Sequence, residues 1–132
     1  MSTEYTIVVT GSTETEHYAD LLAIMTEVKK RRAPYVIEEM FEKFGEVASG
    51  LFATLLDDHR DLFFAVVEVA ETKWAFRWGW EGYGEAELFL QRLLQLFDLF
   101  GISDLKGDAY GDEEIYRCTV TDDSIDCMYV EL

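Results

Sequence analysis

The clearest pattern in the chain is an alternation of large aromatic residues with small or polar ones over residues 73–81. Trp74, Phe76, Trp78 and Trp80 share one parity, with smaller or polar residues between them. A period of two with large apolar side chains on one face is typical of a strand that lies on a core. We therefore predict a strand here, and we expect the rest of the chain to be arranged around it.

The segment that follows this strand has the apolar density of a buried helix. From residue 88 to residue 100, the polar positions are reduced to Gln91, Arg92, Gln95 and Asp98. An ordinary surface helix has a wider polar face. The pattern predicts that a second helix or a second subunit covers the part of this helix that the sheet leaves bare. On this ground the sequence predicts a homodimer, with the helix at residues 35–56 as the alternative cover.

The first part of the chain predicts a strand and a helix. Residues 4–10 alternate like a strand, and apolar residues recur at helical spacing over residues 18–28. Thr13 and Glu16 have the spacing of a capping box, which would start the helix there. The basic run at residues 29–32 suits the negative end of a helix dipole, and Pro34 marks the stop.

A second helix is predicted from about Tyr35 to Asp57. Gly45 and Gly50 weaken its pattern, each by about 1 kcal/mol relative to alanine, and we expect a kink or a break near Gly50. The apolar run at residues 62–69 favours a buried strand. Continuation of the helix stays open, because periodicity does not separate the two in so short a run.

The C-terminal part predicts a loop and a hairpin. Residues 102–112 hold three glycines or alanines and three aspartates, with room for one short strand. Two strands at residues 115–121 and 124–130 meet at a two-residue turn, Asp122–Asp123. Such a turn places Cys118 opposite Cys127.

Together these elements predict an α+β fold over a single domain, residues 1–132. The order is β-α-α-β-β-α-β-β, with an antiparallel sheet and helices on one face. In topology it resembles the ferredoxin-like βαββαβ core with an added helix and a C-terminal hairpin. That fold hosts many unrelated functions, so the resemblance implies no activity.

The net charge of −16, from 27 acidic and 11 basic residues, changes the functional picture. A field of this sign repels nucleic acid and membranes and attracts basic proteins, although acidity also serves solubility. The N-terminus lacks the basic and apolar regions of a signal peptide, and no apolar run is long enough to span a membrane. We therefore predict a cytoplasmic protein with Cys118 and Cys127 as reduced thiols.

Catalytic and metal-binding patterns are missing from the sequence. His17 and His59 have no second ligand at zinc spacing. The spacing of Asp104, Asp108 and Asp112 is not that of a calcium loop. No nucleophile or phosphate-binding motif is present, so the sequence predicts neither an enzyme nor a cofactor.

Two surfaces remain as candidate binding sites. The first is a set of C-terminal acids in loops and turns, where binding residues tend to lie. It comprises Asp104, Asp108, Asp112, Glu113, Glu114, Asp122 and Asp123. We expect these acids to contact a basic protein, which makes the chain an inhibitor of a nucleic-acid-handling partner. The alternative is a ligand pocket or dimer interface on the aromatic face, at Trp74, Trp78, Trp80 and Tyr83.

Overall fold

The aromatic segment forms one strand of a six-stranded antiparallel sheet. The computed structural model describes residues 3–30, 33–70, 73–80, 84–122 and 124–131. Its elements are β1 (Thr3–Thr10), α1 (Tyr18–Lys29), α2 (Ala33–Phe63), β2 (Val66–Ala70), β3 (Lys73–Trp80), α3 (Gly84–Leu99), β4 (Lys106–Tyr110), β5 (Glu114–Thr121) and β6 (Ser124–Glu131).

The strands lie in the order β2-β3-β1-β4-β5-β6, and every neighbouring pair is antiparallel. The first four strands have the ferredoxin-like arrangement, with β1 between β3 and β4 and the helices in the connections. Helix α2 is the added helix, and β5 and β6 form the C-terminal hairpin. The predicted fold class and element order are therefore confirmed, and β4 is the short strand for which the sequence left room.

Strand β4 is hard to recognise in the sequence because its buried positions are small. Gly107 and Ala109 stand on the inner face, opposite Val9 and Ile7 of β1. A Cβ atom at Gly107 would collide with Leu90 of α3. The helix thus lies so close to the sheet that any larger residue at this position would force the Leu90 side chain to move, and the usual β-branched signal of a strand is lost.

Helices α1 and α2 differ from the prediction at their ends and at the kink. The predicted capping box is wrong, because α1 begins at Tyr18 after turns in which Ser12 and Thr15 hydroxyls accept backbone N–H groups. Helix α2 is interrupted at Gly45, with φ of 83°, and again at His59, with φ of −130°, and it continues through Gly50. A Cβ atom at Gly45 would meet nothing within 4 Å, so backbone conformation alone favours glycine there.

Both alternatives for residues 62–69 are partly right. Helix α2 continues to Phe63, and strand β2 begins at Val66. Leu62 and Phe63 are buried as the last turn of the helix, and Val67 is buried in the strand. A run of apolar residues that crosses a helix–strand boundary carries no periodicity to mark it.

Helix α2 covers the side of α3 that the sheet leaves bare. Phe44 lies 4.4 Å from Phe100 between ring centroids, and Phe63 packs edge-on against Phe89. Leu88 and Leu99 remain exposed on α3. The wide apolar surface of α3, from which the homodimer was predicted, is thus covered within one chain. The homodimer itself stays a prediction.

The C-terminal hairpin has the predicted register, with Cys118 opposite Cys127 and Thr121 opposite Ser124. The prediction of reduced thiols is wrong for this structure, because the two cysteines form a disulfide. Their Cα atoms lie 4.1 Å apart, so the register itself brings the sulfur atoms together. The prediction of free thiols came from the expected compartment, which says nothing about this geometry.

Candidate functional site

A shallow acidic groove lies between the end of α3 and the β5–β6 hairpin. Two neighbouring depressions of about 290 Å³ and 270 Å³ share Asp98 and Val120 as lining residues. The first also contains Asp104 and Asp122, and the second contains Gln91, Gln95, Ser124 and Ile125. We call this surface the acidic groove, and we define it by Asp98, Asp104 and Asp122.

The three carboxylates of the acidic groove come from three separate elements. Asp98 lies in the last turn of α3, Asp104 in the loop before β4, and Asp122 in the hairpin turn. All three are exposed, and none forms an ion pair with any residue in the described part of the chain. Asp104 and Asp122 have positive φ angles of 55° and 47°, a conformation that aspartate tolerates better than most residues.

Asp98 was missed by the sequence analysis because only acids in the C-terminal loops and turns were selected as candidates. Its position in the helix is the signal that distinguishes it. The C-terminal end of a helix carries partial negative charge, so an acid there costs about 0.3–1 kcal/mol. No basic residue in the last turn of α3 offsets that cost. Helix stability therefore does not explain an aspartate at this position.

The other predicted acids do not join the acidic groove. Asp112 and Glu113 are exposed in the β4–β5 turn, at the opposite end of β4 from Asp104. A five-residue strand separates the two ends by roughly 15–20 Å. Asp123 lies outside the described residues. The structure thus brings together Asp104 and Asp122 from the predicted set, while Asp112 and Glu113 form a separate acidic turn.

Asp108 stands on the sheet face opposite the helices and already has partners within the chain. Its carboxylate lies 3.6 Å from Arg117 Nε and accepts a hydrogen bond of 2.9 Å from the Tyr110 hydroxyl. This hydrogen bond raises the pKa of Tyr110, because ionisation of the phenol would break it; burial and the charge of Asp108 act in the same direction. Asp108 is therefore less available to an external partner than the groove carboxylates.

Glu114 is buried, with only 2% of its surface exposed. The Tyr5 hydroxyl donates a hydrogen bond of 2.6 Å to its Oε1 atom. The same oxygen would lie 2.7 Å from a Cβ atom at Gly111, so the turn has room only for glycine there. Glu114 thus links β5 to the central strand β1. It differs in this from Asp112 and Glu113, the exposed acids that precede it in the chain.

Loss of the Tyr5–Glu114 hydrogen bond should destabilise the fold. We expect Tyr5→Phe to lower the free energy of unfolding by about 1–3 kcal/mol, because a buried carboxyl group loses its donor while the apolar packing is kept. Chemical denaturation of the parent, of Tyr5→Phe, of Glu114→Gln and of the double variant gives the coupling energy directly. Additive effects of the two substitutions would show that the bond contributes nothing.

The alternative site on the aromatic face is described only at Trp74. This side chain is fully buried, with its ring centroid 5.0 Å from that of Phe97 and 6.0 Å from that of Tyr18. Trp74 is therefore a core residue with no surface to offer a ligand. The side chains of Trp78 and Trp80, and all of Tyr83, lie outside the described residues.

A partly buried polar contact links α2 to α3 at His59. Arg92 Nη1 donates to His59 Nε2 and to Asp58 Oδ2, both at 2.8 Å. Because an arginine only donates, Nε2 of His59 is the acceptor in this contact. Within the described residues, no group of three or more His, Cys, Asp or Glu side chains is arranged to hold a metal ion.

Comparisons with protein-family models, curated proteins and solved structures found no match to this chain. Among the described helices, none is long and apolar enough to cross a membrane.

Proposed function

We propose that the protein is an acidic binding module that inhibits a basic, nucleic-acid-handling protein, as immunity, anti-restriction and anti-CRISPR proteins do. The observation that carries the proposal is the acidic groove. Its three carboxylates are exposed and come from separate elements, and the described residues that line it include no lysine or arginine. A surface of this kind attracts the positively charged surface with which such a partner holds nucleic acid.

The charge of the whole chain supports the same partner class. At a net charge of −16, the long-range field speeds encounter with a basic protein and opposes direct binding of nucleic acid. The unfavourable position of Asp98 at the end of α3 adds to the argument, since it costs the helix stability without a described compensating contact. In this proposal the protein binds without catalysing a reaction, and it acts in the cytoplasm as a phage- or plasmid-encoded inhibitor.

The test compares groove acids with helix acids at equal net charge. The groove variant is Asp98→Asn, Asp104→Asn and Asp122→Asn, in which asparagine keeps the backbone preference of the two turn positions. The matched control is Glu38→Gln, Glu39→Gln and Glu42→Gln on exposed positions of α2. Each set removes three negative charges, so both variants change from −16 to −13.

We expect the groove variant to bind a captured basic partner about tenfold more weakly than the control, from three surface ion pairs of about 0.2–1 kcal/mol each. The partner is captured from a lysate of the source organism and purified, and its affinity is measured at low and high salt. Added double-stranded DNA should displace the protein, because both ligands use the same basic surface. Equal affinities of groove variant and control, or simultaneous binding of DNA, would contradict the proposal.

A further inference from the structure

Strand β6 is a long, open edge of the sheet. It has 8 residues and, among the described strands, pairs with β5 alone, whereas β2 at the other edge has 5 residues and packs against α1. Met128 and Tyr129 are exposed by 63% and 54% on opposite faces of the strand. An exposed edge of this length is a template for pairing with another extended chain.

The disulfide shows which backbone groups of β6 face outward. Opposed residues in an antiparallel pair alternate between hydrogen-bonded pairs, with Cα atoms about 5.5 Å apart, and non-hydrogen-bonded pairs, at about 4.5 Å. The spacing of 4.1 Å at Cys118 and Cys127 identifies a non-hydrogen-bonded pair. The N–H and C=O groups of Cys127 therefore point away from β5, as do those of Ile125, Tyr129 and Glu131 at the same parity.

The charges along this edge decide which partner fits. Asp122, Asp126 and Glu131 are exposed on or beside β6. A second copy would bring a second set of the same acids to this edge and would add its own charge of −16. An extended segment with basic side chains would be attracted to the same edge. Like charges across paired strands are unfavourable, whereas opposite charges are favourable.

We infer that β6 docks an extended basic segment of the partner as a seventh strand, an inference that rests on the proposed function. The segment forms backbone hydrogen bonds with residues 125, 127, 129 and 131. Its alternate apolar side chains cover Ile125 and Tyr129 on the helix side of the sheet. Its basic side chains lie on the other face beside Asp126, whereas the acidic groove lies on the helix side at the hairpin end of the strand.

The first experiment uses a synthetic peptide as long as β6, 8 residues, that alternates lysine and valine. Amide hydrogen exchange is followed by NMR with and without this peptide. We expect exchange at residues 125, 127, 129 and 131 to slow by about tenfold or more on binding. The amides of residues 126, 128 and 130, which face β5, serve as internal references because they are already paired.

The second experiment removes one outward N–H group. Ile125→Pro should bind the peptide about tenfold more weakly than Ile125→Ala, since both variants lose the isoleucine side chain but only proline loses the backbone donor. Proline is tolerated on an edge strand where the N–H faces solvent, and melting curves of both variants check the fold. A peptide that is N-methylated at alternate amides gives the same comparison without altering the protein.

The outcomes separate this inference from the proposed function. Strand addition is overturned if methylated and unmethylated peptides bind equally, if neither peptide binds at low salt, or if two copies of the protein pair through β6. The proposed function survives these results as long as neutralising the acidic groove still weakens capture of the basic partner. Conversely, slowed exchange at the four outward amides, with no effect of the groove variant on capture, supports strand docking and contradicts the role of the groove.

Discussion

Trp74→Ala is expected to lower the free energy of unfolding by about 3–5 kcal/mol, a large share of the about 5–15 kcal/mol that holds a small domain folded. The indole is fully buried between β3 and the helices, in contact with Phe97 and Tyr18. Its removal leaves a cavity that three elements would have to move to fill. Chemical denaturation followed by circular dichroism gives the change directly.

Two further variants separate lost packing from other effects of the Trp74 substitution. Trp74→Phe should cost only about 1–2 kcal/mol, because the ring contacts are largely kept. The indole N–H finds no acceptor among the described residues, so phenylalanine loses no hydrogen bond. Tyr35→Ala removes an exposed aromatic from α2 and should change stability by no more than about 0.5 kcal/mol. Equal effects of Trp74→Ala and Tyr35→Ala would show that Trp74 is not a core residue.

Removal of the disulfide should have the second-largest effect. Under oxidising conditions, Cys127→Ser is expected to lower the free energy of unfolding by about 2–3 kcal/mol. The two cysteines are separated by 9 positions in the sequence, and the cross-link restricts the unfolded chain over that span. Cys127 is exposed, so serine replaces it there without loss of core packing. Denaturation of parent and variant at equal protein concentration measures the difference.

The same comparison in the presence of a reductant is the control. Parent and variant should then unfold at nearly the same denaturant concentration, because both lack the cross-link. If the oxidised parent is no more stable than Cys127→Ser, the disulfide adds no stability. The reduced parent should remain folded, since the apolar core lies mainly between the helices and strands β1–β4. A cytoplasmic role therefore does not require the disulfide.

The sequence predicts the fold where side-chain size and periodicity agree. The aromatic alternation of β3 and the apolar density of α3 are such cases, and the two-residue turn gives the register of the hairpin. Prediction is poorer where close packing selects small residues. Gly107 is needed because α3 lies against β4, a tertiary contact that leaves no periodic trace in the sequence. The break at Gly45 instead of Gly50 has a similar cause, since composition does not reveal which glycine adopts a positive φ.

The site is less predictable than the fold, because a sequence does not show in which direction a charged side chain points in the folded chain. The C-terminal acids are neighbours in the chain, but alternation along the strands and the turns between them direct them differently. Glu114 is buried against Tyr5, Asp108 pairs with Arg117, and Asp112 lies at the far end of β4. Asp122 joins Asp98 and Asp104 only because α3 ends beside the hairpin. Such proximity depends on the assembled sheet and on nothing local.

The position of β1 has a consequence for biosynthesis. This strand leaves the ribosome before its neighbours β3 and β4, so Ile7 has no strand partner until Phe76 and Ala109 have been synthesised. At about 5–20 residues per second, translation leaves β1 without either neighbour for several seconds or longer. During that time both backbone edges of β1, the strand that carries Tyr5, Ile7 and Val9, have no strand partner. Recombinant yield should therefore depend on translation speed and on chaperones that shield nascent chains, even when the finished protein is stable.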